Sequence, residues 1–394
     1  MSGPEVVIVA AARTPQGKLL GALSSLTAVD LGAAAIRGAL AQGAIDPELV
    51  NAAIMGQVLQ AGAGQNPARQ ASIAAGIPWS VPAHTVNKLC LSGLSSIVDA
   101  SRMIRLGDAT VVVAGGMESM SNAPHLLPSS RTGWRYGSVE MLDHMSRDGL
   151  TDAFDGDSMG ASTERHNTRL GVSREDQDTV AALSHQRAAK AAADGMFDAE
   201  IVPIEVPQRR GEPVVITADE GVRPDTTVET LSRLRPAFSP EGSITAGNAS
   251  GISDGAAAVV VTTRDNADAH GWAVLAVIGA YGEVAGPDNS LQEQPARAIE
   301  QACTRHGIAP GDCDFIEINE AFGAVVARSR DQLGVSADIV NIHGGGIAMG
   351  HPIGASGARV AVHAVHELSR RGGGTAVVAL CGGGGQGEAL ILTL

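Results

Sequence analysis

The chain has 394 residues, of which 44% are hydrophobic and 3% aromatic, with 49 glycines and a formal net charge of −14. This length exceeds one small core, the Gly-rich composition suits tightly packed helix and sheet layers, and the acidic balance argues against nucleic-acid or anionic-membrane partners, which need a basic face. No apolar run approaches the roughly 18 residues of a membrane span, residues 1–5 lack the flank of a signal peptide, and four cysteines without paired spacing point to reduced thiols in a cytoplasmic protein.

Residues 6–11 read as an apolar strand, 28–41 as a helix and 53–59 as a second strand. Cys90-Leu91-Ser92-Gly93 then opens a helix with Leu94, Ile97, Val98 and Ile104 at helical spacing; Gly107 stops it, and the strand 110–114 ends at Gly115-Gly116. Residues 121–249 change texture, with Trp134, Tyr136, Phe154 and the arginines Arg131, Arg135, Arg147, Arg209, Arg210, Arg223, Arg233 and Arg235. This stretch reads as an insertion carrying substrate or subunit contacts, although most of its charges fit a solvated surface equally well. The first pattern then returns. A strand at 273–280, a helix at 296–306 and a strand at 314–319 precede Ser356-Gly357, a helix with Ala358, Ala361, Val362, Val365 and Leu368, the stop Gly372 to Gly374, and a strand at 375–380 that meets Cys381-Gly382-Gly383-Gly384-Gly385.

The repetition implies an α/β protein of two duplicated βαβαβ halves. Residues 1–120 plus 250–272 form the N-terminal half, 121–249 the inserted loop domain and 273–394 the C-terminal half. In open parallel sheets ligands gather beyond the carboxyl ends of the strands. Cys90, Asn319, His351 and Cys381 all lie at such ends or at helix starts, so two halves related by a pseudo-two-fold axis bring them into one pocket.

The residue types at these positions suit nucleophilic chemistry. Cys90 precedes a helix, whose partially positive N-terminus favours a thiolate, although a buried structural cysteine has the same signature in composition. The glycines after Cys381 permit close backbone approach to a substrate. Pro352 holds His351 extended at a strand-to-helix corner, and the Asn319 amide is placed to hold a water. Other chemistries are excluded by spacing: there is no phosphate-binding Gly-x-x-x-x-Gly-Lys-Ser/Thr, the glycines 382–387 leave no room for a dinucleotide unit, and no His-Glu-x-x-His or Cys-x-x-Cys suggests a metal.

Six motifs in order carry a resemblance. They are Asn87-Lys88-Leu89-Cys90-Leu91-Ser92-Gly93, Gly115-Gly116-Met117-Glu118-Ser119-Met120, Thr245-Ala246-Gly247-Asn248-Ala249-Ser250, Asn319-Glu320-Ala321-Phe322, Gly350-His351-Pro352-Ile353-Gly354 and Cys381-Gly382-Gly383-Gly384-Gly385-Gln386-Gly387. The chain resembles the thiolase family over essentially its whole length, most closely the short-chain acetyl-CoA acetyltransferases.

The resemblance implies the thiolase fold, a five-layered α-β-α-β-α arrangement, and ping-pong acyl transfer between acetyl-CoA, acetoacetyl-CoA or other short 3-ketoacyl-CoA, and CoA. Coenzyme A thioesters are substrates, with no bound cofactor and no metal. Cys90 is the implied nucleophile that carries the acyl group, His351 takes its proton, and Cys381 is the acid/base of the carbon–carbon step. His351 with a water on Asn319 forms one oxyanion site, and the backbone N–H groups of Cys90 and Gly383 the other. Coenzyme A contacts fall on Arg223, Phe238, Ala246 and Ser250, with Met159 and Phe322 near the acyl end. Residues 125–148 resemble a tetramerisation loop, implying a homotetramer built from dimers. Two departures stand out: Ser158-Met159-Gly160 replaces the His-Met-Gly of short-chain relatives, and Glu283-Val284-Ala285-Gly286-Pro287 replaces Met-Gly-x-Gly-Pro, which is expected to widen the acyl pocket. Alternatives are a broader-chain 3-ketoacyl-CoA thiolase of β-oxidation, a non-catalytic acyl-CoA or lipid-binding protein on the same fold, a cysteine hydrolase, and a ketoacyl-type condensing synthase, against which Cys381 argues.

Overall fold

Both faces of the sheet are covered by helices, which is why its strands appear in the sequence as continuous apolar runs. In the computed structural model, which describes residues 3–394, the first half runs β1 (Val6–Arg13), α1 (Ala28–Gln42), β2 (Ala52–Gly56), α2 (Pro67–Ala74), β3 (Ala83–Val86), α3 (Ser92–Leu106) and β4 (Val111–Ser119). The insertion contributes α4 (Met159–Leu170) and α5 (Arg174–Ala193), and β5 (Ser253–Thr263) returns the chain to the sheet. The second half runs β6 (Ala276–Ala285), α6 (Gln294–His306), β7 (Phe315–Ile318), α7 (Gly323–Leu333), α8 (Gly346–Met349), α9 (Ser356–Arg371), β8 (Thr375–Gly382) and β9 (Gln386–Thr393).

Hydrogen bonding links these strands in the order β7-β8-β9-β6-β1-β5-β4-β2-β3, with Gly17–Lys18 paired to β5 off this path. The seam between the halves is narrow, since β1 and β6 share only the partners Val7↔Val277 and Ile8↔Ala276. From the seam outward the halves read β1-β5-β4-β2-β3 and β6-β9-β8-β7, the latter extended by the bridge Ile316↔Val340. The duplication is therefore real in three dimensions, but each half is mixed rather than parallel. β2 with β3, β2 with β4, and β7 with β8 are parallel, whereas β5 and β9 insert as antiparallel strands. The sequence pattern missed β5 and β9 because no helix separates β8 from β9, and β5 follows an irregular insertion.

Side chains sort into layers. Val6 and Ile8 of β1, with Val112 and Ala114 of β4, face a central core that includes Leu94 and Ile97 of α3 and Val362 and Val365 of α9. Val7 and Val9, with Val111 and Val113, face α1 and α2 on the other side. In the second half Ile316, Val377 and Ile391 meet Ile299 of α6 and Val325 of α7. The layers are thus α1/α2, sheet, α3/α9, sheet and α6/α7, the five-layered α-β-α-β-α arrangement expected. Thr27 and Asp30 form a capping box at the start of α1, and Gly107 and Gly372 terminate α3 and α9 in left-handed conformation, the glycine stops that were expected. Among the described residues no helix is long and apolar enough to cross a membrane.

α3 and α9 touch backbone to backbone at their first turns. A Cβ on Gly93 would lie 2.7 Å from the Ala358 nitrogen, and one on Gly357 would lie 2.3 Å from the Leu94 nitrogen. Gly357→Ala is expected to push the helices apart and to cost about 1–3 kcal/mol through overpacking. Thermal or denaturant melting checks this; an unchanged midpoint would show that the approach is not tight.

Candidate active site

Cys90 sits in a tight turn between β3 and α3. Leu89 adopts φ 52°, in the left-handed region where a branched side chain is strained. The surroundings over-determine this turn. The Leu89 N–H donates to Asn87 Oδ1 (3.1 Å), the Lys88 N–H donates to Ser92 Oγ (2.8 Å), and the Ser92 hydroxyl donates to the Leu89 carbonyl (2.6 Å). Lys88 Nζ anchors the turn to the second half through Glu388 (2.6 Å) and Glu283.

Cys381 is the penultimate residue of β8, opposite Gly387 of β9. Gly384 and Gly385 (φ 74° and 68°) make the hairpin turn, and a Cβ on Gly383 would lie 2.7 Å from Leu89 Cδ1. Glycine there lets the two cysteine-bearing turns press together. The backbone N–H groups of Cys90 and Gly383 both face the Cys90 sulfur.

His351 lies between α8 and α9. Its Nδ1 is 2.6 Å from Ser356 Oγ, whose hydroxyl donates to the Pro352 carbonyl (2.9 Å). The tautomer in which Nδ1 donates to Ser356 Oγ leaves Nε2 as the acceptor. Asn319, just beyond β7, places Nδ2 3.3 Å from His351 Nδ1. Buried His351 Nε2 and Asn319 Oδ1 have no hydrogen-bond partner among the described residues.

Burial dominates the electrostatics here. It pushes the Cys90 thiol up to about 11, with the two backbone N–H groups offsetting only part and Glu118 adding repulsion. Burial thus opposes the thiolate that the helix N-terminus favours. Burial, then the Cys90 sulfur, holds Cys381 far above the usual thiol range. Burial, then Arg359, lowers His351 to about 3, leaving a neutral imidazole.

These groups open onto one cavity of about 550 Å³. Cys90, His351, Cys381 and Gly383 line it, as do Met159, Phe238, Ala246, Ser250 and Phe322. Phe238 and Phe322 meet edge to face with centroids 6.4 Å apart. Asn319 stands behind His351 rather than in the wall. Arg223 is not in the wall either; its Nη2 lies 3.1 Å from His185 Nε2. Burial, then Arg223, lowers His185 to about 4. Ser158 lines the cavity and caps α4 by accepting the Ala161 N–H (3.3 Å).

Residues 283–287 lie outside the cavity wall. Glu283 instead pairs with Lys88, and Val284 packs into the outer core. Sequence reasoning missed the apolar wall formed by Leu89, Met145, Leu150, Ile252, Leu291 and Ile353. Leu89 adjoins Cys90 and Ile353 lies two residues beyond His351, both within quoted motifs, a signal that was available; Met145 and Leu150 fall in the irregular insertion, which has no period to place them.

A model of the thiolase N-terminal domain matches residues 6–265, and a model of the thiolase C-terminal domain matches residues 272–394. A protein of Mycolicibacterium smegmatis called probable acetyl-CoA acetyltransferase is 56% identical over 98% of this chain and 100% of its own length. A protein of Staphylococcus epidermidis called probable acetyl-CoA acyltransferase is 47% identical over 98% of both chains. The crystal structure of the Bacillus anthracis acetyl-CoA acetyltransferase superposes with a TM-score of 0.96 at 39% identity, over 100% of this chain and 99% of that one. Matched from its first strand to its last residue, the chain belongs to the thiolase family and is an acyltransferase.

Proposed function

We propose that the protein is an acetyl-CoA C-acetyltransferase that interconverts two acetyl-CoA with acetoacetyl-CoA and CoA. The observation that carries this reading is the meeting of two thiols and a bare imidazole nitrogen on one largely apolar cavity. A hydrolase or a decarboxylating synthase has no use for the second thiol.

The proton inventory follows from the neutral resting state. Cys90 gives its proton to His351 Nε2 as its sulfur attacks the thioester carbonyl, and the developing oxyanion takes the N–H groups of Cys90 and Gly383. The coenzyme A sulfur leaves with the Cys381 proton, so Cys381 becomes a thiolate balanced by the His351 imidazolium. That thiolate, made basic by burial, removes the α-proton of the second acetyl-CoA. The enolate oxygen is held by the His351 Nε2–H and a water on Asn319. The enolate carbon attacks the acyl carbon on Cys90, and the released sulfur recovers its proton from His351. Atoms and charges balance, and the reverse order gives thiolysis.

Coenzyme A then runs along the insertion, past Phe238, Ala246 and Ser250, with Arg223 toward its charged end and Met159 and Phe322 at the acyl end. It acts as a substrate, and neither a cofactor nor a metal takes part. Loop 125–148, where Trp134, Tyr136 and Met141 are 45%, 108% and 60% exposed, supports assembly as a homotetramer. Four unpaired cysteines support a cytoplasmic setting. A second reading, thiolysis of longer 3-ketoacyl-CoA, is favoured by the apolar wall and by the acyltransferase name of the Staphylococcus relative.

Cys90→Ala is expected to abolish exchange of labelled CoA into acetoacetyl-CoA; persistent exchange would refute the nucleophile. Cys381→Ala should still form acyl-enzyme, seen by intact mass, while condensation falls about 10²–10⁴-fold. Asn319→Ala should lower kcat about 10²–10³-fold, the usual effect of one oxyanion donor. Thiolysis rates against 3-ketoacyl chain length from four carbons upward should fall steeply, and a flat profile would favour the second reading.

A further inference from the structure

We propose that Glu118 is a positioning residue for this chemistry, its buried carboxylate tying the turn that carries His351 to the N-terminal half beside Cys90. The proposal rests on the acyl-transfer reading above. Glu118 lies near the end of β4 and is fully buried. Its Oε2 accepts the N–H groups of Val58 (2.9 Å) and Gly354 (3.0 Å), and its Oε1 accepts that of Leu59 (3.2 Å). Val58 and Leu59 follow β2 and pack with Cys90 and Ile353. Gly354 lies three residues beyond His351. One side chain therefore joins the two turns across the boundary between the halves.

Glycines are spent to permit this contact. A Cβ on Gly354 would lie 2.7 Å from Glu118 Oε2, and one on Gly116 would lie 2.1 Å from the Gly354 carbonyl oxygen. Three N–H donors demand an acceptor-only group. Protonation, or replacement by an amide, turns part of that acceptor into a donor facing a donor.

Burial opposes the charged form, raising Glu118 to about 7 from an ordinary 4.5; the three N–H groups offset part of this and Asp254 of β5 adds to it. The groups facing it are Asp254, which holds Ser121, the Cys90 thiol, and the turn bearing the neutral His351; from the end of β2 only backbone faces it. A folded pKa above the unfolded value contributes stability that is complete below about 4.5 and is lost as pH rises through about 7. The form that grips three amides is thus the form that costs stability. Activity and stability respond to pH in opposite directions.

The test compares the full-length wild type with Glu118→Gln and Glu118→Asp by thiolysis of acetoacetyl-CoA, thermal melting, and iodoacetamide alkylation of Cys90, each from acid to alkaline pH. Wild-type kcat should rise through a midpoint near 7. Glu118→Gln should lose that limb and lower kcat about 10²-fold with KM for CoA little changed. Its Tm at alkaline pH should not fall, and Cys90 should alkylate faster once the neighbouring charge is gone. Glu118→Asp keeps the charge but not the reach, so it should alkylate like wild type and still lose kcat. Wild-type kcat in Glu118→Gln, or a fall in Tm matched by a rise in KM, would overturn the proposal. A wild type without thiolysis would instead sink the acyl-transfer reading, and its alkylation profile would still report whether Glu118 governs Cys90.

Discussion

α3 and α9 cross with their first turns in backbone contact, and everything at the cavity depends on that approach. One helix follows the Cys90 turn and the other follows the His351 turn, so their separation sets the distance between the thiol and the imidazole. Only glycine at 93 and 357 permits it, because any Cβ would fall within 2.7 Å of the opposing backbone. The central layer pays for this intimacy with small side chains, since Ser92, Ser95 and Ser96 on α3 and Ser356, Ala358 and Ala361 on α9 are all buried. Larger residues are displaced to the faces that meet the sheets, where Leu94, Ile97, Val362 and Val365 fill the core.

The same close packing sets the electrical state of the site. Excluding water raises both thiols and lowers the imidazole, which favours the neutral form of each. Polar anchors surround this dry centre: Lys88 with Glu388 on one side, Ser356 on another, and Asn319 behind the histidine.

Much of the fold was legible because duplication repeats a pattern: strand, helix, strand, then Ser-Gly opening a helix that a glycine stops. Ser92-Gly93 and Ser356-Gly357 are the matched pair, and the two turns before them carry Cys90 and His351. What escaped the pattern had no local signature. β5 follows an irregular insertion and β9 follows β8 through a glycine hairpin, so the sheets were read as parallel and proved mixed. Arg223 was placed toward the ligand by likeness, but its guanidinium faces His185 and not the cavity wall. Glu283 faces Lys88 and serves the Cys90 turn, a contact that no motif announces.

By itself the sequence determined which chemistry was available, since thiols, an imidazole and glycine-rich turns at strand ends are local features that spacing reveals. It also determined the architecture of two repeated halves, because apolar periodicity and glycine stops are short-range signals. The tertiary structure alone decided protonation, reach and the identity of the wall. Burial is a property of residues distant in the chain: the thiol at 90 is raised by the layers around it, and the carboxylate at 118 meets an amide 236 positions away. Such contacts depend on how helices cross and how turns abut, which no window of sequence contains.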